Sequence, residues 1–456
     1  MNWSEVSPGV FSKELDGVEK IYHHVSQIFK PIGREHWGLY CACTFELGPR
    51  FSQKNTATAL RDAWKALRYD FPALAVTLDG VHARKTYTVP DASSVEKWAD
   101  ESFVVDWTTD PDGVLASYPV RDTPSMYFFP ELSQILFLCS HWRIDGLGTC
   151  LLMDRFFSLL AANTPSPSPE SWANDITKIS PTLEDAIKAP TLETPEVQEL
   201  ARKHIEDHHK NVVHAGGLRY LGDATTPPGS PARSTVTFNE TTTASLIAAC
   251  KQRSISVTSA VYAALANAVF ALSPDASLEK YAAVMSINMR TYMPAPYNGK
   301  DHAVQVYVMG RSPTVERGSS FAEMTAQFMD YNKGWYNDEF RSAYRMATRH
   351  HYETLSRRPK GAAPLNPPSS VTLSSLGIIE KNMPSQYGGG AVKLTDFHFG
   401  VSMMTRQMLL YVWTFENKLS LSVNYNDAYH DVSSIKSFLE YIRQILKNEI
   451  GVSLEL

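Results

Sequence analysis

The sequence predicts an α/β protein built from two lobes of similar size, with a mixed sheet and helices in each lobe. Three observations lead to this prediction. The chain has 456 residues, which at roughly 150 residues per domain suits two or three domains or one large two-lobed fold. Runs with helical and with strand periodicity alternate along both halves. Between the halves, three prolines fall within residues 163–170, a composition typical of a linker or a long crossover.

The amino-terminal lobe is predicted to span residues 1–162. Residues 56–69 carry apolar side chains at helical spacing, and Pro72 ends that helix. A continuous apolar run of strand length predicts a strand buried on both faces at 134–140, and a helical pattern follows it at 151–160. The other strands of this lobe are expected at 39–47, 73–78, 85–89 and 103–107.

Residues 163–233 are predicted to form the crossover, with a polar helix at 198–213, and residues 234–456 the carboxy-terminal lobe. This lobe opens with an alternating strand at 234–238, and Asn239 is expected to cap the helix after it. Residues 258–271 are apolar almost all round, which is typical of a helix buried in a large fold. Strands are expected at 280–290, 302–310 and 401–425, with a turn at 416–418, and helices at 321–336, 339–355 and 432–447.

Composition and charge exclude several classes of function. The chain has 43 Lys+Arg and 48 Asp+Glu, a net charge of -5, so a broad basic surface for nucleic acid is not expected. The first residues do not have the pattern of a signal peptide, and no window approaches the ~20 apolar residues of a membrane-spanning helix. The five cysteines are few and odd in number, as in cytosolic proteins with reduced thiols. We therefore expect a cytoplasmic protein that binds neither nucleic acid nor membrane.

Two residue pairs resemble halves of a metal site. Cys41 and Cys43 lie on one face of a predicted strand, but no second Cys/His pair completes a tetrahedral zinc site. His204 and His208 have the i,i+4 spacing of a metal pair, but the glutamate of a zincin does not follow His204. We interpret the cysteines as core residues and the histidines as part of a solvated helix face, and expect no bound metal or cofactor.

Chemistry is expected at the end of the buried strand, where the sequence reads Ser-His-Trp-Arg-Ile-Asp-Gly. His141, Asp145 and Gly146 form a His-x-x-x-Asp-Gly pattern that composition alone would rarely produce. Residues at such strand ends are presented at the mouth of a cleft, where a neutral imidazole can take the proton of an alcohol or amine as that group attacks a carbonyl. The alternative interpretation is a hydrogen-bonded loop histidine that caps the strand.

The other two residues of the pattern have simpler tasks. A buried carboxylate requires a partner, so an arginine elsewhere in the chain would pair with Asp145 and lock the loop. Gly146 would leave the backbone room for the turn and for a close ligand. The sequence has no Gly-x-Ser-x-Gly elbow of a serine hydrolase.

This motif and its strand resemble the HxxxDG active-site motif of the chloramphenicol-acetyltransferase-like superfamily, which includes BAHD acyltransferases, condensation domains and fungal O-acetyltransferases. The similarity extends in the same order along nearly the whole chain, and trichothecene-type O-acetyltransferases are the nearest group. The further similar stretches are the buried helix 258–271, the strand ending in Arg290, the small polar turn at Ser374 and Ser375, and residues 396–400, DFHFG, where BAHD enzymes have DFGWG.

The resemblance implies a two-lobed chloramphenicol-acetyltransferase-like fold and a role for each matching residue. His141 would be the general base, Asp145 would pair with Arg290 away from the substrate, and Ser374 or Ser375 would donate a hydrogen bond to the oxyanion.

The resemblance also implies a role for the DFHFG stretch. Asp396, Phe397 and Gly400 would form a structural motif remote from the chemistry, with Asp396 ordering a loop.

The resemblance further implies a monomeric enzyme that moves an acyl group from coenzyme A to a hydroxyl of a secondary metabolite such as a terpenoid or polyketide. Acetyl-CoA is the favoured co-substrate, and the acceptor would be a small hydrophobic alcohol. Ser140 stands where condensation domains usually carry a second histidine, which favours an acyl-CoA donor over a carrier-bound one. The basic run that includes Arg341, Arg345 and Arg349 is most often a solvated helix face, and the alternative interpretation is that some of these charges meet the phosphates of coenzyme A.

Two alternatives remain open at this point. One is a stand-alone condensation enzyme that forms an ester or amide from a carrier-bound acyl thioester. The other is a catalytically silent binding protein of the same fold.

Overall fold

Helices and strands alternate throughout the chain in a computed structural model, which describes residues 3–455 except 52, 80–83, 119, 166, 168–171, 173–174, 213–215, 283, 332 and 358–368. The helices are α1 (Gly17–Gln27), α2 (Gln53–Asp70), α3 (Ala92–Ser102), α4 (Pro111–Ser117), α5 (Gly146–Ala162), α6 (Leu183–Ala186), α7 (Pro195–Val212), α8 (Glu240–Gln252), α9 (Val257–Leu272), α10 (Phe321–Asp330), α11 (Asp338–Ser356) and α12 (Val432–Ile450). The strands are β1 (Ser4–Ser7), β2 (Val10–Glu14), β3 (Gly38–Leu47), β4 (Thr77–Asp79), β5 (Arg84–Thr88), β6 (Phe103–Val105), β7 (Ser125–Phe129), β8 (Gln134–Ser140), β9 (Pro231–Thr237), β10 (Lys280–Ala282), β11 (Met285–Asn288), β12 (Val308–Arg311), β13 (Thr314–Glu316), β14 (Val371–Ile378), β15 (Gln386–Tyr387), β16 (Val392–Val401), β17 (Met408–Phe415) and β18 (Lys418–Asn426).

The main sheet of the amino-terminal lobe has the order β15–β16–β3–β8–β7–β6. Its central strand β8 is buried from Gln134 to Cys139, as the continuous apolar run predicted. One face of the sheet packs against α2 and α5 around a core that includes Trp64, Phe137 and Phe157. Because β15 and β16 come from the second half of the chain, that half completes the sheet that carries the HxxxDG strand.

The main sheet of the carboxy-terminal lobe has the order β14–β17–β18–β9, with β14 parallel to β17. It packs against α9, whose residues from Ser259 to Ala266 are all buried, and α12 closes the same core. The prediction of an apolar helix inside the second lobe is therefore confirmed. The mixed α/β fold with helices against both sheets is confirmed as well.

Some predicted strands were wrong or too long. Residues 73–78 begin as a 3₁₀ turn, because Pro72 has the fixed φ that starts a helical turn. The strand expected at 280–290 divides into β10 and β11, and Arg290 lies in a 3₁₀ turn that the side chain of Asn288 caps by accepting from the Arg290 N–H at 3.1 Å. Of residues 302–310, only those from Val308 on form a strand.

Among the described residues, no single helix is both long and apolar enough to cross a membrane. The pair α8 and α9 reaches that length and composition only together, across a 94° bend.

Candidate active site

A cavity of about 220 Å³ lies at the interface of the two lobes, beside the turn that follows β8. It brings together the predicted catalytic residues from the first lobe and the predicted oxyanion donors from the second. Its walls are Tyr22, His141, Asp145, Gly146, Leu147, Cys150, Ser286, Asn288, Tyr307, Val308, Ser374, Ser375, Leu376, Asn382, Phe399 and Tyr411.

The carboxylate of Asp145 is held by groups other than the imidazole of His141. It caps α5 by accepting from the Gly148 N–H at 2.7 Å, and it accepts from the Tyr307 N–H at 2.6 Å. Arg290 Nη1 donates to both carboxylate oxygens, at 2.9 and 2.8 Å, and each of these two side chains is 4% exposed. The ion pair expected from the resemblance is thus present, and it fixes the loop that carries His141.

Burial is the main influence on the protonation of His141. It lowers the pKa of the imidazole below its ordinary value, although the carbonyls of His141 and Ile144 and the charge of Asp145 act in the opposite direction. Nδ1 is buried and makes no well-aligned hydrogen bond, so Nε2 is the nitrogen that can meet a molecule in the cavity. A neutral imidazole with an open nitrogen is the state that a general base needs.

Tyr22 on α1 is a residue of the site that the sequence analysis missed. Its ring packs on the imidazole of His141, with centroids 4.5 Å apart and planes at 39°. In the part of the chain that the structure describes, its hydroxyl has no hydrogen-bond partner, and it lines the cavity. Burial, and then the charge of Asp145, raise the pKa of this phenol, so it stays protonated and can donate a hydrogen bond.

A sequence signal for α1 did exist. Asp16 and Glu19 have the three-residue spacing of a capping box, and in the structure they satisfy both of its hydrogen bonds. That signal marks the start of a helix but not its contact with the strand end more than a hundred residues later.

Ser374 and Ser375 lie on β14 at the opposite wall of the cavity. The hydroxyl of Ser375 is 3.0 Å from Thr258 Oγ1 at the start of α9. The side chain of Ser374 has no such partner within the described ranges, so its hydroxyl is open to a ligand. The pairing of β14 with β17 is irregular between Ser375 and Gly377, where the chain turns with φ +71° at the glycine.

The expectation that Asp396 orders a loop was wrong. Asp396 lies inside β16, which pairs with β3, and its carboxylate is 3.1 Å from His398 Nε2. The register continues to Phe399, which lines the cavity. The stretch is a strand because its Phe397 and Phe399 side chains alternate into the buried face of the sheet.

Two glycines of the motifs lie where a side chain would not fit. A Cβ at Gly146 would lie 2.8 Å from Leu376 Cδ2 and 3.2 Å from Phe399 Cζ, both in the cavity wall. A Cβ at Gly400 would overlap Asn424 and Tyr40. Gly146 therefore lets the start of α5 approach the second lobe closely.

The cavity is almost uncharged. Of the described side chains that line it, Asp145 alone is an acid, and Arg290 pairs with it. The remaining polar lining consists of hydroxyl, amide, thiol and imidazole groups. Such a lining suits a neutral molecule that presents a hydroxyl and a carbonyl group.

The arginines of α11 are held by carboxylates rather than left unpaired. Arg345 in particular is largely buried and forms two of these ion pairs. The pairs are Arg341–Asp338, Arg345–Glu184, Arg345–Asp185 and Arg349–Glu193, with N–O distances of 2.6–2.7 Å.

The cysteine and histidine pairs do not form a metal centre. Cys41 and Cys43 are buried in the core, with sulfurs 3.9 Å apart. His204 is exposed, as expected for a solvated face, whereas His208 is half-buried and its Nδ1 is 2.8 Å from Ser312 Oγ. Among the described residues, no group of three or more His, Cys, Asp or Glu is arranged to hold a metal ion.

Comparison with known proteins identifies relatives over the full length of the chain. The O-acetyltransferase PigM of Monascus ruber is 44% identical over 459 residues, covering 100% of this chain and 88% of that one. The azaphilone biosynthesis cluster protein M of Aspergillus terreus is 34% identical and covers 98% of each chain. No protein-family model matches the sequence.

Solved structures show the same fold. The TRI3 trichothecene 15-O-acetyltransferase of Fusarium sporotrichioides superposes with a TM-score of 0.81 at 16% identity, covering 98% of this chain and 96% of that one. The starter condensation domain of the rhizomide synthetase RzmA, solved with C8-CoA, has a TM-score of 0.56 at 12% identity, covering 97% and 95%. These findings confirm the predicted superfamily and fold and the similarity to trichothecene-type enzymes. The chain belongs to the family of fungal secondary-metabolite O-acetyltransferases, which are acyltransferases of the chloramphenicol-acetyltransferase-like fold.

Proposed function

We propose that the chain transfers the acetyl group of acetyl-CoA to a hydroxyl of a small, largely apolar polyketide or terpenoid alcohol, acting as a cytoplasmic monomer, with His141 as general base. The observation that carries the proposal is the position of His141. Its ring is half-buried with Nδ1 fully covered, its pKa is lowered, and Nε2 is left for the cavity between the lobes. The family membership supports the reaction class, and the geometry of the cavity supports His141 as the base.

In the first step, Nε2 of His141 takes the proton of the acceptor hydroxyl as its oxygen attacks the thioester carbonyl carbon. A new C–O bond forms, and the carbonyl oxygen becomes an oxyanion. The hydroxyl of Ser374 is the preferred donor to that oxyanion, because Ser375 already lies within hydrogen-bond distance of Thr258.

In the second step, the tetrahedral intermediate collapses and the C–S bond breaks. The imidazolium of His141 gives its proton to the leaving thiolate of coenzyme A. His141 therefore acts first as the base and then as the acid, and it ends the cycle neutral. Asp145 does not exchange a proton in this scheme, since four hydrogen bonds hold its carboxylate. The packing of Tyr22 on the imidazole keeps the ring in one orientation during both proton transfers.

The acceptor class rests on the cavity and on the relatives. The lining offers no unpaired charge among the described residues, which favours a neutral alcohol. One relative is named for an azaphilone biosynthesis cluster, so alcohols of that polyketide class are the first to test. A C8-CoA complex in the same fold supports coenzyme A as the carrier of the acyl group.

The test incubates the purified chain with acetyl-CoA and a panel of fungal polyketide and terpenoid alcohols, with products read by mass spectrometry. We expect an acetyl ester with at least one alcohol, and a loss of about 10²–10⁴-fold in rate for His141→Ala. Near-parental rates for His141→Ala would overturn the mechanism. No binding of acetyl-CoA at millimolar concentration, together with turnover of an acyl-loaded carrier protein, would favour the condensation alternative.

A further inference from the structure

The crossover between the lobes carries a cluster of charges that joins three helices. The short helix α6 presents two adjacent carboxylates, Glu184 and Asp185. Arg345 of α11 binds both, with Nη1 2.7 Å from Glu184 Oε2 and Nη2 2.7 Å from Asp185 Oδ1. Its Nε also donates to the Ala189 carbonyl at 2.9 Å, so all three nitrogens of the guanidinium bind residues of the crossover.

The same two carboxylates also hold the amino-terminal lobe. Lys13 of β2 donates to Asp185 Oδ2 at 3.0 Å, and its side chain is buried. Glu184 Oε1 accepts from the Gly17 N–H at 3.1 Å. Glu184 thereby places a negative charge at the first turn of α1, the positive end of that helix.

The start of α1 is pressed against α11 at this point. A Cβ on Gly17 would overlap the side chain of Thr348, with the two Cβ atoms 2.5 Å apart. Thr348 Oγ1 in turn donates to Glu184 Oε1 at 3.2 Å. A second buried ion pair, Lys85 Nζ to Glu19 Oε1 at 2.5 Å, fixes the next residues of α1 to β5.

Tyr22 lies five residues after Gly17, and its ring covers the imidazole of His141. Because a helix moves as a rigid element, the position of the first turn of α1 determines how closely Tyr22 packs on that ring. The first turn is held by Glu184 of the crossover and by the Glu19–Lys85 ion pair, none of which lines the cavity.

We propose that Glu184 and Asp185 are positioning residues of the acetyl transfer, which hold α1 against α11 so that Tyr22 covers His141. The catalytic meaning of this proposal rests on the proposed function. The packing of Tyr22 over His141 is a property of the fold, and it can be measured without enzymatic turnover.

The groups that face His141 determine how a displacement of α1 would change the pKa and the accessibility of its imidazole. Besides His141, the titratable side chains that line this cavity are Tyr22 from α1, Asp145 at the cap of α5, Cys150 within α5, and Tyr307 and Tyr411 from the second lobe. Asp145 stays paired with Arg290 on the other side of the loop. Moving Tyr22 away therefore changes mainly the burial of His141, and burial is the influence that lowers its pKa.

The test measures modification of His141 by diethyl pyrocarbonate, which reacts with neutral, accessible imidazole, at a series of pH values with peptide-level mass spectrometry. In Glu184→Gln we expect several-fold faster labelling of His141, with the acid-side midpoint moved up toward that of an ordinary histidine. The matched control is Arg349→Gln, which breaks the Arg349–Glu193 ion pair one turn further along α11. In Arg349→Gln, the rate and pH dependence of His141 labelling should equal those of the parent protein.

A second variant keeps the test decisive if Glu184→Gln does not fold. Gly17→Ala displaces α1 sterically and leaves every charge in place, so it should also speed the labelling of His141. Adding Thr348→Gly removes the opposing side chain and should restore the parental rate. Folded Glu184→Gln and Gly17→Ala proteins with parental labelling of His141 would overturn the positioning proposal, whereas an active His141→Ala enzyme would overturn the proposed function alone.

Discussion

Replacing Asp145 separates a structural role from a chemical one. In Asp145→Ala, Arg290 stays buried at 4% exposure and loses the carboxylate that its Nη1 binds at 2.8 Å. Removing one partner of a buried ion pair costs about 3–5 kcal/mol, and losing the cap of α5 costs about 1 kcal/mol. The two losses share one carboxylate and do not simply add. We expect the free energy of unfolding to fall by at least about 3 kcal/mol.

The assay is denaturant unfolding followed by circular dichroism, run in parallel with acetyl transfer. Asp145→Asn serves as the matched variant, because it keeps the shape and an oxygen acceptor for the Gly148 N–H but removes the charge. The double variant Asp145→Asn, Arg290→Met should recover part of the lost stability, since neither partner is then left charged and buried. An Asp145→Ala protein that is inactive yet as stable as the parent would refute this reasoning and place Asp145 in the proton transfer.

Three further outcomes follow from the cavity. Tyr22→Phe keeps the ring on His141 and should lower kcat/KM by about 2- to 10-fold, the value of one hydrogen bond. Tyr22→Ala also removes the ring and should lower kcat/KM further. Equal losses in the two variants would show that the contact between the ring and His141 does not contribute to the rate. A general base works when it is neutral, and burial lowers the pKa of His141. The midpoint of the acid limb in the pH profile of kcat/KM should therefore lie below the ordinary histidine pKa of about 6.5. A midpoint at or above that value would contradict the effect of burial on His141. Ser374→Ala should lower kcat by about 10²–10³-fold and Ser375→Ala by less, and the reverse order would transfer the oxyanion role to Ser375.

The parts of the fold that were predictable are those in which local pattern and burial agree. The run from Gln134 to Ser140 is apolar without interruption and forms a strand buried on both faces. Residues 258–271 are apolar on all sides and form the buried helix α9. Asn239 caps α8 through the Thr242 N–H, as its residue type predicts. In each case one short segment contains all the information that decides its structure.

The parts that were missed depend on contacts between distant segments. Phe399 was assigned to a remote motif because the sequence does not show that β16 pairs with β3 and brings the Phe399 ring close to Gly146. Tyr22 was missed because a tyrosine on a short helix has no local mark that separates a core residue from one that covers an imidazole. Arg345 resembled a free cation, and only the fold shows that α6 brings two carboxylates to it. The residue that we propose for the proton transfer can therefore be predicted from the sequence, whereas the residues that hold it in place become visible only when the crossover and both lobes are packed together.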